Sequence, residues 1–257
     1  PPSPFSPAIR EKRAALAPFQ PRGALISDGE ARTERRAWNG RVLQESHPHH
    51  ELTQRFAAVA GEEIGPLAAG PGALDWDLFA TAWWRLVRRI VLGDGARDDD
   101  ELTDLLRRLR GDANWAFLMP RRHRLRARFD NALRSHLDRA EPGSLAELIA
   151  RTPAAAGVDT AGQVPQWLFA FDAAGMASFR ALALLAAHPD HADRCGEEDG
   201  ARRAALLESV RLWPTTPAIL RDTTARTEWQ SGTLEAGATV VVFAPFFHRD
   251  DARLADA

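Results

Sequence analysis

Residues 164–187 read VPQWLFAFDAAGMASFRALALLAA, and this run constrains the chain more than any other. It is apolar, free of proline after Pro165, and long enough to cross a bilayer as one helix. Pro165, Gln166, Asp172 and Arg180 lie inside it, and no basic cluster flanks either end. Charged groups within a membrane span are costly. The run therefore predicts a long buried helix of a large water-soluble domain, with no membrane span. A carboxylate in such a helix needs a partner, a proton to handle or access to water, because burying it alone costs several kcal/mol. A helix opened near its middle would let water reach Asp172.

Most of the chain before and just after this run has helical periodicity. DWDLFATAWWRLVRRIVLG spaces Trp76, Phe79, Trp83, Leu86 and Ile90 on one helix face and stops at Gly93. DGEARTERRAWNGRVLQES has Ser27 or Asp28 as its capping candidate. DDDELTDLLRRLRGD has an acidic first turn and a basic last turn, matching the helix dipole. HPHHELTQRFAAVAGEE, PRRHRLRARFDNALRSHLDRAE, SLAELIART and DGARRAALLESVRLWP add four more helices. HADRCGEEDGARR reads as a solvated turn. After Pro214 the pattern changes: AILRDTTARTEWQSG and ATVVVFAPFF are rich in Thr, Val and aromatics, and Gly232 and Gly237 punctuate them, so strands follow. About eight helices then precede a small sheet. The eight Trp are scattered and read as core.

Composition narrows the function. The net charge of −2 gives no general case for a nucleic-acid partner. Cys195 is the one cysteine, which excludes an internal disulfide and suggests a reducing cytoplasm. No secretory signal is read in PPSPFSPAIR. HPHH at His47–His50 has no second ligand cluster, so no metal site is assigned in this chain. The basic face of PRRHRLRAR is solvated, or docks an acidic redox partner. Glu208 and Arg211 sit three apart on one helix face, either as a surface pair of small worth or as a buried pair that fixes the helix.

The order of these segments resembles the cytochrome P450 family of haem-thiolate monooxygenases. SDGEARTERRAWNGRVL, the long helix with its acid, the Glu208-x-x-Arg211 helix, the strand bearing Arg221 and the FFHRDD turn follow in the family's order, from about Ala24 to Asp251. The resemblance implies a mainly α, P450-like helical body with a small antiparallel β region near the carboxyl end. It implies one domain over 1–257, a partial fold in which the amino-terminal sheet, the first helix and the carboxyl-terminal haem-cysteine region are missing. Glu208 and Arg211 take the place of the family's structural ion pair. Arg32 and Arg36 fall on the basic helix that binds haem propionates, Arg32 standing where His is usual, and Arg221 matches the strand arginine that binds the other propionate. Arginine suits that task because it stays charged and its fork fits a carboxylate.

The same resemblance places the oxygen-activating motif at Ala170-Phe171-Asp172-Ala173, where the acid is present and the usual alcohol is not. Asp172 and Ala173 are thus the catalytic candidates, and Phe169, Ala170, Thr216, Pro217 and Ala218 the substrate-pocket candidates. The cofactor is haem, with its cysteine ligand outside this chain, because Cys195 has none of the family's flanking pattern. A hydrophobic small molecule, O2 and a ferredoxin or reductase as electron donor are the implied partners, in the cytoplasm. The alternative is a haem-free P450-like scaffold that binds and activates another enzyme.

Overall fold

Eleven α-helices and five short strands follow one another in the computed structural model, which describes residues 4–7, 9–70, 72–113, 115, 118, 120–250 and 252. In chain order they are β1 (Phe5–Ser6), α1 (Arg10–Leu16), α2 (Gly29–Val42), α3 (Thr53–Ala68), α4 (Trp76–Leu92), α5 (Asp100–Ala113), α6 (His123–Arg139), α7 (Leu145–Arg151), α8 (Val164–Ala187), α9 (Pro189–Glu197), α10 (Asp199–Leu212), β2 (Ala218–Thr223), β3 (Thr227–Trp229), β4 (Gly232–Leu234), β5 (Thr239–Phe243) and α11 (Ala244–His248). The chain divides into two compact units, Ser6–Phe169 and Ala170–Ala257 with Pro1–Phe5, and the division falls inside α8.

Among the described residues, the regular structure of the first unit is helical apart from Ser6. Its helices begin and end for readable reasons. Asp75 caps α4 by accepting from Leu78 N at 2.9 Å. Ser144 and Glu147 hold the start of α7: Ser144 Oγ accepts from Glu147 N at 3.4 Å, and Glu147 Oε2 accepts from Gly143 N, just before the cap, at 2.7 Å. At the start of α2 the sequence expectation is only half met. Asp28 occupies the cap position, but its carboxylate accepts from Ser6 Oγ and Arg13 Nη2 instead of the helix amides. Gly93 ends α4 at φ +104°, and a Cβ there would meet Glu141 Cβ at 2.4 Å. Both the backbone conformation and the close approach require glycine.

Apolar faces of α4, α5, α6 and α7 supply the core of this unit, with Phe79, Leu102, Phe129 and Leu145 all buried. Trp38 of α2 stacks on Trp167 at 5.9 Å, and Trp167 Nε1 donates to Asn39 Oδ1 at 2.6 Å, so the buried indole is satisfied. Trp38 and Trp167 are core residues, whereas Trp76, Trp115, Trp213 and Trp229 are exposed, which corrects the reading of all eight as core. An ion network joins α3 to α4. Glu63 Oε1 accepts from Arg89 Nη1 and Arg97 Nε, each at 2.7 Å, and Arg89 Nε donates to Asp94. Burial opposes charge on Glu63, but the guanidinium hydrogen bonds of Arg97 and Arg89 outweigh it and hold the carboxyl below its ordinary value.

The second unit holds the rest of α8, the helices α9 to α11 and the small sheets. β2 and β5 pair antiparallel, with Arg221 opposite Val240, in a sheet of order β1-β2-β5, and β3 pairs β4. Two sequence expectations fail locally. The supposed turn HADRCGEEDGARR carries most of α9 and the start of α10, because Pro189 at the first helical position and Asp190 in the first turn favour a helix. APFFH forms α11 instead of continuing β5, with Pro245 early in the helix.

Helix α8 covers the predicted span without a break, so no opening exposes Asp172. It is also less buried than its composition implies. The segment Ala161–Ala187 is long and apolar enough to cross a membrane, with a mean hydropathy of 1.5, yet only 22% of that window is buried. Its apolar residues run round the helix, and within this unit Gly175, Ala177 and Ala181 are its buried positions.

Candidate functional site

Glu208 and Arg211 lie three residues apart on α10 and share one face. Arg211 Nε donates to Glu208 Oε2 and Arg211 Nη2 to Glu208 Oε1, both at 2.6 Å. Arg211 Nη1 donates to the His248 carbonyl at 2.6 Å, tying α10 to α11. Hydrogen bonding to Arg211 holds the Glu208 carboxyl below its ordinary value, against a smaller opposing effect of burial. The side chains remain 41% and 29% exposed, so the pair is half-open to solvent and the buried version of the sequence expectation is not met.

Two further guanidiniums close the end of α10. Arg249 Nη2 donates to the Leu212 carbonyl at 2.6 Å, and Arg180 Nη1, from α8, donates to the Trp213 carbonyl at 2.7 Å. The last carbonyls of a helix have no partner within it, and cations there complement its dipole. Ser209, fully buried, adds a hydrogen bond from its hydroxyl to the Ala177 carbonyl at 3.0 Å. Sequence reasoning missed this clamp. Its one visible signal was Arg180, a charge inside an apolar run.

Asp172 and Ala173 are adjacent and half-buried on α8, and neither Ala173 nor Ala174 supplies a hydroxyl. Arg221 is half-buried on β2, and its Nη1 donates to the Leu220 carbonyl at 2.8 Å. Thr216, Pro217 and Ala218 lie where β2 begins, all three exposed, and the Pro217 carbonyl accepts from Ala244 N at 2.8 Å. Ala170 is exposed at the start of this unit's part of α8.

The other candidates belong to the first unit. Arg32 and Arg36 are one helical turn apart on α2. Arg32 is half-buried and donates to the Ala24 carbonyl at 3.0 Å; Arg36 is exposed, with Glu45 at 3.8 Å. Arg35, which sequence reading passed over, has a buried Nε with no acceptor among the described residues. It adds a third guanidinium on the same two turns, and an unpaired buried donor seeks an anion. Phe169 is half-buried, packed on Phe19 at 5.6 Å, with Arg110 Cζ 4.8 Å from its ring centroid. His50 Nε2 lies 3.1 Å from the Val42 carbonyl, and no cluster of three or more His, Cys, Asp or Glu suited to a metal occurs among the described residues. Cys195 is buried on α9. Asp251, the last residue of FFHRDD, lies outside the described residues.

Solved structures supply the architecture. The chain superposes on the retinoic acid-bound cyanobacterial CYP120A1 with a TM-score of 0.74 at 15% identity, over 96% of this chain and 64% of that one. It has the cytochrome P450 fold. A six-coordinated P450 from Thermus thermophilus gives a TM-score of 0.72 at 20% identity, and the P450 CYP102L1 gives 0.75 at 17%; each match covers 96% of this chain and 65% of the other. The chain thus spans just under two thirds of the length of these P450 structures. No family model and no curated protein matches it. The P450 fold agrees with the mainly helical body and small carboxyl-terminal antiparallel sheets read from the sequence.

Proposed function

We propose that the whole protein is a P450-type haem monooxygenase that oxidises a hydrophobic small molecule with O2, taking electrons from a ferredoxin or reductase in the cytoplasm. The observation that carries this reading is the P450 fold over 96% of the chain. The retinoic acid bound by the cyanobacterial P450 agrees with an apolar small molecule as ligand.

Guanidinium chemistry suits haem propionates. Arg32 and Arg36 on α2 and Arg221 on β2 would hold its two propionates. The exposed, loosely paired Arg36 and the unpaired Nε of neighbouring Arg35 support this assignment, because both have donor capacity to offer a carboxylate. When bound, the haem supplies the redox-active iron that activates O2. Cys195 is buried on α9 without the family's flanking pattern, and we assign it no iron ligation.

Asp172 holds and passes protons at its carboxylate. Its half-buried position gives it access to water without a break in α8. Ala173 has no hydroxyl to order that water, so a substrate hydroxyl or a bound water takes the alcohol's place, or peroxide replaces O2 and the electron donor. On the resemblance to the family, we assign Phe169, Ala170, Thr216, Pro217 and Ala218 to the substrate pocket. Glu208 and Arg211 hold α10 and α11 together and act as structural residues.

The alternative, a haem-free scaffold that activates another enzyme, separates cleanly from this reading. The whole protein, purified from cells supplied with a haem precursor, should carry one haem per chain. A folded, haem-free product would instead support the scaffold.

A further inference from the structure

We infer that the outer edge of β5 is an interaction surface for a second copy of this chain, joined strand to strand about a two-fold axis at Val241. β5 lies at the edge of the sheet of order β1-β2-β5. Ala244 N donates to the Pro217 carbonyl at 2.8 Å, and Thr223 N to the Ala238 carbonyl at 2.9 Å. These two bonds flank a register that sets Val241 opposite Leu220. Antiparallel ladders alternate between bonded and non-bonded pairs. Val240 and Val242 therefore bond to β2, while the N–H and C=O of Thr239 and Val241, with the N–H of Phe243, point away from it.

The sequence of this edge does nothing to block pairing. Thr-Val-Val-Val-Phe holds no charge and no proline, the residues that ordinarily keep an edge strand single. Its side chains are open to solvent, Val241 at 57% exposure. Phe246 is 77% exposed and packs edge to face on Phe243 at 5.0 Å, so an aromatic pair stands at the end of the strand.

A second copy is the occupant because the strand complements itself. Antiparallel pairing centred on Val241 sets Val241 against its own counterpart and Thr239 against Phe243. The two Val241 residues exchange two hydrogen bonds, and each Phe243 N–H donates to the Thr239 carbonyl of the other copy, about four bonds in all. Val240 of one copy then stands beside Val242 of the other, a β-branched cross-strand pair, and Phe243 reaches diagonally toward Val241. A net charge of −2 leaves little repulsion between copies. The opposite edge, β1, is only two residues long, so pairing closes at a dimer and does not propagate into a filament. A foreign strand would make the ladder bonds without these side-chain matches. The proposal goes beyond the haem reading and does not depend on it, because association is measured without turnover or haem.

The test is sedimentation velocity of the purified protein from about 1 to about 100 μM. The parent should pass from monomer to dimer as concentration rises. Val241→Lys should weaken association at least about ten-fold, with an unchanged circular-dichroism melt at the lowest concentration. In a Cys195→Ser background, Val241→Cys should cross-link to its own counterpart under mild oxidation, because pairing brings the two Cα atoms to about 5.5 Å. Glu197→Cys, exposed on α9, should not. A parent that stays monomeric throughout, a Val241→Lys protein that dimerises as the parent does, or equal cross-linking of the two cysteine variants would each overturn the proposal. So would a monomeric protein that instead captures an extended peptide of unrelated sequence, which would assign the edge to a foreign strand.

Discussion

Arg211 grips the Glu208 carboxylate with two nitrogens at 2.6 Å and the His248 carbonyl with the third, also at 2.6 Å. One guanidinium therefore satisfies an acid on its own helix and a backbone group on another. The exposure of 41% at Glu208 sets the energetic scale, because water screens half-open pairs. Glu208→Ala should cost about 1 kcal/mol, well short of the loss from a fully buried pair. Arg211→Ala should cost more, because it also frees the His248 carbonyl. Chemical denaturation of the two variants checks the order, and equal losses would show that the His248 contact contributes nothing.

Glu63 is the contrasting case. Its side chain is 4% exposed and bonded to Arg89 and Arg97. Glu63→Ala removes the buried carboxylate that Arg89 and Arg97 share and should cost about 3 kcal/mol. For a protein of this size that corresponds to a melting-temperature drop of roughly 6–12 °C. A drop within the error of a thermal melt would contradict the network's role.

The same carboxylate sets an acid limit. The folded-state pKa of Glu63 lies below its ordinary 4.5, and Asp94 lies below 3.8, held there chiefly by the hydrogen bond from Arg89. Depressed carboxyl pKa values contribute stability that is present above the unfolded values and is lost as pH falls through the folded ones. Stability should therefore decline as pH drops below about 4.5. The Glu63→Ala variant, lacking one of these groups, should show a shallower decline. Parallel pH profiles of melting temperature for the two proteins would count against this assignment.

The chemistry proposed for α8 has its own test in the whole protein. Asp172→Asn keeps the shape and removes the titratable group, so coupling of electrons to oxidised product should fall. Ala173→Thr adds a hydroxyl beside the acid and should raise coupling and lower peroxide release. Should substrate hydroxyl or peroxide already do that work, the added Thr would slow turnover instead. Product and peroxide yields of the three proteins decide it, and an Asp172→Asn protein with unchanged rate and coupling would make the acid structural.

The long helix was legible because its apolar run holds no proline beyond Pro165 in its first turn, and α4 because Asp75 and Gly93 punctuate both ends. The helix α9 was hidden, since its charges resemble a solvated turn and its apolar content is slight. Burial was the least legible property. The apolar surface of α8 runs round the helix, so composition could not say which part is packed. At the candidate site, the spacing of Glu208 and Arg211 pointed to one helix face. The partners that fold back onto α10, Arg180 and Arg249, depend on contacts remote in sequence. Arg35 escaped notice because nothing local distinguishes a guanidinium with a buried unpaired nitrogen from its solvated neighbours.

In the proposed function, the arginines of α2 and β2 hold haem propionates. The direct measurement is a haem titration of the whole protein, followed by its absorption band, alongside Arg36→Leu and Arg221→Leu. Saturation at one haem per chain is expected, with affinity reduced about ten-fold in each variant and thermal stability unchanged. A correctly folded protein that takes up no haem, or variants that bind it as tightly as the parent, would contradict it.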